Sequence, residues 1–352
     1  MTIADRARPE IRSLSPYAAA TQVRDTVRLN ANEAAWTHGA DRFRRPLNRY
    51  PEIRPARLGA MLAERFGCPA SQLLVTRGTS EAIDLLIRVF CRAGEDSIVI
   101  MPPTFSMYAH YAAIQNAGVI EVPTYRDRDF AVDADAVLGA CDPNTRVVFV
   151  CSPNNPTGTS TPAETVVALL EQLRDTAAVV VDEAYIEYSS NASLMPLLDD
   201  FDNLVVLRTL SKALAFAGAR CGAVAGSAEV VAMLDAVQAP YAMATPVVEC
   251  VEAALEDQWL TDAGQHVAGV VAERQRLVAA LRELPVVTRI WPSDANFVLV
   301  AVRDADAVMG AARAAGVLLR YFGRTLSDCV RITVGTPAEN DLLLEALAGV
   351  RA

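Results

Sequence analysis

The chain has 352 residues, 52% of them hydrophobic, which is enough for a large core, and its 42 acidic against 32 basic side chains give a net charge of −10. That negative excess opposes attraction to nucleic acid and to anionic membrane surfaces, so neither is expected as a partner. Seven dispersed cysteines, with no CxxC pair and no clustered histidines, point away from a zinc site or a disulfide framework; no metal is expected, and the reducing cytoplasm is the expected location.

Residues 1–28 are polar and short of periodicity and read as an N-terminal arm lying over a neighbour. The stretch around Asp5, Arg6, Arg8 and Glu10 has no apolar run behind it, so no secretory leader is expected. No later apolar run is long enough to cross a bilayer. β-Branched runs then predict strands at 73–76, 98–101, 147–151, 178–181 and 205–207. They are apolar on both faces, as strands of a covered parallel sheet should be. Helical patterns at 55–66, 81–91, 162–174 and 228–237 are long enough to be crossovers between them. Residues 29–245 are therefore read as a large α/β domain. Beyond it the pattern changes to a helical stretch running to 284, strands at 287–291, 297–302, 317–321 and 330–334, and a helix at 305–315. Residues 246–352 are read as a smaller α+β domain.

Among the basic residues one is a lysine, Lys212. Arginine replaces lysine on surfaces and against anions, but its guanidinium stays protonated and cannot serve as an amine nucleophile. The chemistry that requires lysine is condensation of an amine with a carbonyl. Other candidates lie where strands end and helices begin, the usual ligand edge of an α/β sheet. Arg77-Gly78-Thr79-Ser80-Glu81 would offer free N–H groups and hydroxyls to an anion, although a serine cap on a helix is the more common meaning of such a segment. Asp182 ends an apolar strand and would either cap the next segment or hold a cation. The turn from Cys151 to Gly158 aims amide side chains, and Tyr108 sits on a helical pattern where a core aromatic is the ordinary reading.

Taken in order, Leu29-Asn30-Ala31-Asn32-Glu33, Asn48-Arg49-Tyr50-Pro51, Arg77-Gly78, Pro102-Pro103-Thr104, Ser152 to Gly158, Asp182 to Tyr185, Thr209 to Lys212, Gly218-Ala219-Arg220 and Arg331 to Gly335 resemble the motifs of the aspartate aminotransferase superfamily. The resemblance covers essentially the whole length and within that superfamily is to the histidinol-phosphate aminotransferase group. It implies an α/β chain of the fold type I, pyridoxal phosphate-dependent kind: a large domain whose mostly parallel sheet is covered by helices, and a smaller α+β C-terminal domain.

By the same resemblance Lys212 would condense with the cofactor aldehyde and shuttle a proton. Asp182 would hold the pyridine nitrogen, Asn155 and Tyr185 would donate to the ring oxygen, and Tyr108 would stack on the ring. Thr79, Ser80, Thr209, Ser211 and Arg220 would surround the phosphate, with Tyr50 arriving from the partner of a homodimer. At the helix start the family often carries Ala-Asp where this chain has Thr79-Ser80, and Phe105 stands where a tyrosine is common and is read as packing. Arg331 would pair with the carboxylate of glutamate or the phosphate of histidinol phosphate, Arg320 would add a second contact, and Tyr17, Asn30 and Asn32 of the arm would close over the imidazole. The implied reaction interconverts histidinol phosphate and 2-oxoglutarate with imidazole-acetol phosphate and glutamate. An aromatic amino-acid aminotransferase and a phosphothreonine decarboxylase of the same fold are the nearest alternatives. A noncatalytic cofactor-binding regulator is disfavoured because no basic DNA-binding module is present. A nicotinamide dehydrogenase is disfavoured because Gly218, Gly222 and Gly226 are evenly spaced and no GxGxxG turn follows the first strand.

Overall fold

The computed structural model describes residues 2–17, 28–256 and 258–350. In chain order the elements are α1 (Pro9–Arg12), α2 (Ala56–Phe66), β1 (Leu73–Thr76), α3 (Thr79–Phe90), β2 (Ser97–Ile100), α4 (Met107–Gln115), β3 (Gly118–Glu121) and α5 (Ala134–Ala140). They continue with β4 (Thr145–Cys151), α6 (Ala163–Gln172), β5 (Ala178–Asp182), β6 (Leu204–Thr209), β7 (Gly222–Ala225), α7 (Ala228–Val237), α8 (Thr245–Leu255) and α9 (Gln258–Arg282). The last are β8 (Val287–Ile290), β9 (Phe297–Val302), α10 (Ala305–Ala314), β10 (Arg320–Tyr321), β11 (Cys329–Thr333) and α11 (Pro337–Ala348).

The first seven strands form one sheet in the order β1-β7-β6-β5-β4-β2-β3. All pairs are parallel except those of β7, which runs against β1 and β6. Alternate residues of the central strands feed two cores, one on each face. Val148, Val179 and Val206 pack with Leu58 and Leu62 of α2, whereas Val147, Val180 and Val205 pack with Ile83 and Leu86 of α3. This accounts for the unbroken apolar runs, since a strand covered on both faces needs no polar alternation. The second sheet is antiparallel, in the order β10-β11-β9-β8, and its core draws Leu277 and Leu281 from α9 and Val308 from α10. The mostly parallel large sheet with a smaller α+β unit is the architecture the sequence led us to expect.

Several details differ from the sequence reading. The helical stretch after 245 is two helices, and Val248 and Val251 of α8 pack in the core of the large sheet, so the change of core falls after α8 rather than before it. The expected arm is docked on its own chain over its first part. Ile3 and Ala7 are buried against the α3 face of the large sheet, the Ile3 N–H donates to Asp202 (3.0 Å), and the Arg8 N–H donates to the Val89 carbonyl (3.0 Å). Residues 18–27 of the arm lie outside the described residues. Strands β3 and β7 escaped the sequence reading because one is a largely exposed edge and the other is Gly-Ala-Val-Ala, without β-branched density. Among the described residues no helix is long and apolar enough to cross a membrane.

Candidate active site

The carboxyl ends of β4, β5 and β6 open onto a cleft of about 310 Å³. Thr79, Ser80, Asn155, Asp182, Tyr185, Thr209, Ser211, Lys212, Arg220 and Arg331 line it, together with Phe105 and Cys151. Parallel strands bring their ends to one edge, which is why residues far apart in sequence converge here.

Asp182 ends β5 with its side chain enclosed, 2% exposed, accepting hydrogen bonds from the Tyr108 O–H (2.8 Å) and the Ala184 N–H (3.2 Å). Burial pushes its carboxyl up to about 6, and the two hydrogen bonds and the charge of Lys212 only partly offset this. A carboxylate in that state favours a cationic partner. Lys212 follows β6 on a loop closed by the Phe216 N–H on the Leu210 carbonyl (2.9 Å), and its ammonium lies 5.5 Å from the Tyr185 ring centroid. Burial first, then the guanidiniums of Arg331 and Arg220, hold its pKa below the usual lysine value, so the neutral amine is more accessible than in an ordinary lysine.

At the other end of the cleft, α3 begins after Gly78, whose φ is +79° and which offers no side-chain cap. The hydroxyls of Thr79 and Ser80 therefore do not serve as the helix cap, and these two residues of the first turn line the cleft, where an anion would complement the helix N-terminus. Arg220 lies over this end, donating to Ser211 Oγ (3.3 Å) and the Ala217 carbonyl (3.0 Å). The glycine is required by that approach, because a Cβ on Gly78 would stand 2.8 Å from Arg220 Nη2.

Asn155 and Arg331 join the two sheets, with Arg331 Nη1 donating to Asn155 Oδ1. Asn154 instead closes its own turn, through Pro103 and Thr157. Arg331 pairs with no carboxylate among the described residues, its buried Nε lacks a partner, and it lies over the rings of Phe297 (5.1 Å) and Phe322 (5.8 Å). Arg320 is its cross-strand neighbour in the β10–β11 register, exposed, and 5.6 Å from the same Phe322 ring.

The stacking role expected of Tyr108 is corrected. Its ring is fully buried behind Asp182 and already stacks on Phe149, with centroids 4.6 Å apart and planes 11° apart, so no face is free for a ligand. Besides Tyr185, the aromatic ring that lines the cleft is Phe105, which the sequence reading had assigned to packing; its position directly after Pro102-Pro103-Thr104 at the end of β2 was the available signal. Cys151, also missed, lies beside Asp182 in the β4–β5 register. Tyr17, Asn30, Asn32 and Tyr50 are not among the lining residues. Tyr50 is half exposed and stacks on Tyr241 (4.7 Å). Tyr17 is exposed beside the same Tyr241.

An anion at the α3 end, an aromatic ring against Phe105, a ring cation at Asp182 and a carbonyl condensing with the chain's one lysine, Lys212, can all belong to a single molecule, pyridoxal phosphate. The donor set fits it without a misplaced charge. Fold and site together define a pyridoxal phosphate-dependent transferase of fold type I.

Comparison with known proteins narrows the class. The family "Aminotransferase class I and II" matches residues 21–347, and the chain belongs to it. It is 44% identical to a histidinol-phosphate aminotransferase of Xylella fastidiosa (strain 9a5c), covering 100% of this chain and 98% of that one. A histidinol-phosphate aminotransferase of Aeromonas hydrophila subsp. hydrophila is 43% identical, covering 99% and 98%. Among solved structures, the histidinol-phosphate aminotransferase of Sinorhizobium meliloti in complex with pyridoxal-5'-phosphate superposes with a TM-score of 0.77 at 26% identity, covering 86% of this chain and 83% of that one. The protein is thus a pyridoxal phosphate-dependent aminotransferase closely related to histidinol-phosphate aminotransferases.

Proposed function

We propose that the chain transfers an amino group between glutamate and imidazole-acetol phosphate, giving 2-oxoglutarate and histidinol phosphate in alternating half-reactions, in the cytoplasm and as a homodimer. The observation that carries this reading is Arg331: a guanidinium without a carboxylate partner among the described residues, lining the same cleft as Lys212 and Asp182. A planar fork of donors suits either the glutamate carboxylate or a phosphate, so one group can serve both half-reactions. Arg320 directly across the strand adds positive charge where a dianion would sit.

When bound, pyridoxal phosphate supplies an aldehyde for amine exchange and an electron-accepting ring. Around it, Lys212 would condense with the aldehyde and carry the proton at the substrate Cα. Asp182 would keep the ring nitrogen protonated. Asn155, with Oδ1 taken by Arg331, has Nδ2 left to donate to the ring oxygen beside Tyr185, and Phe105 would cover one ring face. The α3 N-terminus, Thr79, Ser80, Thr209, Ser211 and Arg220 would hold the phosphate.

Homodimer formation is supported by exposed large apolar side chains concentrated between Leu14 and Tyr50, among them Leu29 and Trp36. Tyr50 in that stretch would serve the partner's phosphate site. A cytoplasmic location is supported by seven cysteines that all remain unpaired. The deciding experiment mixes cofactor-loaded protein with histidinol phosphate alone and follows the visible absorbance for one turnover. Conversion with this substrate and not with phenylalanine supports the reading, whereas preference for phenylalanine, or release of carbon dioxide from phosphothreonine, overturns it.

A further inference from the structure

We propose that Arg126 and Asp328 are positioning residues for anionic substrates, an inference that rests on the reading of Arg331 as their anchor. Arg331 stands on β11, whose strand partners among the described residues, β10 and β9, both belong to the small sheet. Among the described residues the one hydrogen bond of Arg331 to the large-sheet side of the cleft is that to Asn155. Where the guanidinium sits relative to Lys212 and Asp182 therefore depends on how the small sheet docks, which Phe297 against Tyr185 (5.2 Å) sets at the cleft and a second contact sets at the strand's foot.

One docking contact lies at the foot of the same strand, besides those that Gly158 makes with Asp294 and Arg289 makes with Asp129. Asp328, immediately before β11, receives both arms of Arg126 from the large-sheet side, Nη1 to Oδ2 at 2.8 Å and Nη2 to Oδ1 at 2.6 Å. The Asp328 carbonyl accepts from the Val302 N–H (2.8 Å), which ties the residue rigidly to β9. Trp291, 2% exposed, completes the joint: its indole N–H donates to the Arg126 carbonyl (3.2 Å), its ring lies 5.2 Å from Phe130, and the Arg126 guanidinium stands 5.9 Å from its centroid. The charges of Arg126 and Asp328 are themselves partly exposed, and exposed pairs add little to overall stability. What a bidentate fork supplies in such a place is direction, three residues from the guanidinium that meets the substrate.

The test uses cofactor-loaded protein with glutamate and with histidinol phosphate. Asp328→Asn removes a negative charge near an anion site, so Coulomb attraction alone would lower KM; loss of the joint raises it instead, by roughly tenfold or more. The expected result is a raised KM for both substrates in Asp328→Asn and Arg126→Gln, with kcat and the absorbance of the bound cofactor unchanged, and recovery of KM in the exchanged pair Arg126→Asp with Asp328→Arg. A lowered or unchanged KM, a fall in kcat with altered absorbance, or an exchanged pair no better than the single variants would overturn the proposal. Arg331→Gln separates it from its premise: an unchanged KM there removes the anchor reading itself, whereas a raised KM there with none in Asp328→Asn removes only the positioning role.

Discussion

Tyr108 donates its phenol O–H to Asp182 Oδ2 across 2.8 Å, from a position fully enclosed behind the cleft wall. The bond stabilises the charged carboxylate against the burial that pushes it up to about 6, and the phenol itself is pushed well above its ordinary value, so it remains a donor throughout the working range. Tyr108→Phe removes this bond without emptying the ring site. The Asp182 pKa is then expected to rise further, and the affinity for pyridoxal phosphate to fall by roughly fivefold to tenfold, as for one hydrogen bond to a charged group. The loss should be greater near pH 6 than well above it. Titrating cofactor-free protein with pyridoxal phosphate at both pH values checks this, and an equal loss at the two would rule out the carboxylate as the point of action.

Asp182 also ties cofactor binding to stability. Its pKa in the folded chain, about 6, stands above the ordinary 3.8, so the folded state holds this proton more tightly than the unfolded state. The destabilising effect is therefore full above about pH 6 and fades as the pH falls toward 3.8. Asp182→Asn is expected to stabilise the cofactor-free chain at neutral pH by on the order of 2–3 kcal/mol. The gain should shrink in acid, while affinity for the cofactor falls. Melting curves of both proteins across the pH range, with and without pyridoxal phosphate, measure the two effects separately.

Lys212→Arg keeps a positive charge in the cleft but removes the possibility of a neutral amine. Turnover is expected to fall by orders of magnitude, although pyridoxal phosphate can still be held at the α3 end and by Asp182. Borohydride reduction followed by peptide mapping should mark Lys212 in the parent chain, which has no other lysine side chain, and should mark no side chain in the variant. A variant that retains turnover would remove lysine from the mechanism.

Gly78 is where the helix end and Arg220 meet. Gly78→Ala would place a methyl group 2.8 Å from the Arg220 Nη2 atom and would hold that methyl group at a φ of +79°, which alanine adopts only with strain. The guanidinium must swing away, so affinity for pyridoxal phosphate is expected to fall by about tenfold or more, as when one charged hydrogen-bond partner is lost. The inhibition constant of inorganic phosphate should rise by a similar factor in the variant, which a competition titration would show.

The sequence made the central strands legible because both faces of β4, β5 and β6 are buried and their apolar runs are unbroken. Lys212 was legible because the rest of the chain uses arginine for positive charge. Tyr108 and Phe105 were exchanged in role because they lie three residues apart around the start of α4, and pattern alone does not say which ring turns to the cleft and which to Phe149. The docking of residues 3–7 onto α3 and α7 was hidden because Ile3 is an isolated apolar residue in a polar segment, and its burial depends on a surface formed elsewhere in the chain. The Asn155–Arg331 bond joins residues on different sheets, so no local spacing could disclose it.

Gly158 closes the turn that carries Asn155, and it does so against the small sheet. Its N–H donates to the Asn154 carbonyl (2.7 Å) and its own carbonyl accepts from the Asp294 N–H (2.8 Å). Its φ is +82°, and an added Cβ would come within 2.6 Å of Ser293 Cβ and 3.0 Å of Ser293 Cα. Gly158→Ala therefore combines a strained backbone with a collision between the two sheets, and should lower stability by about 2–4 kcal/mol. Adding Ser293→Gly removes the side-chain part of the collision but neither the approach to Cα nor the positive φ, so partial recovery in denaturant melts is expected. No recovery would locate the whole cost in the backbone. Because the collision pushes Asn155 and Arg331 apart, the single variant should also raise KM for glutamate more than it lowers kcat, and the double variant should reverse part of that rise.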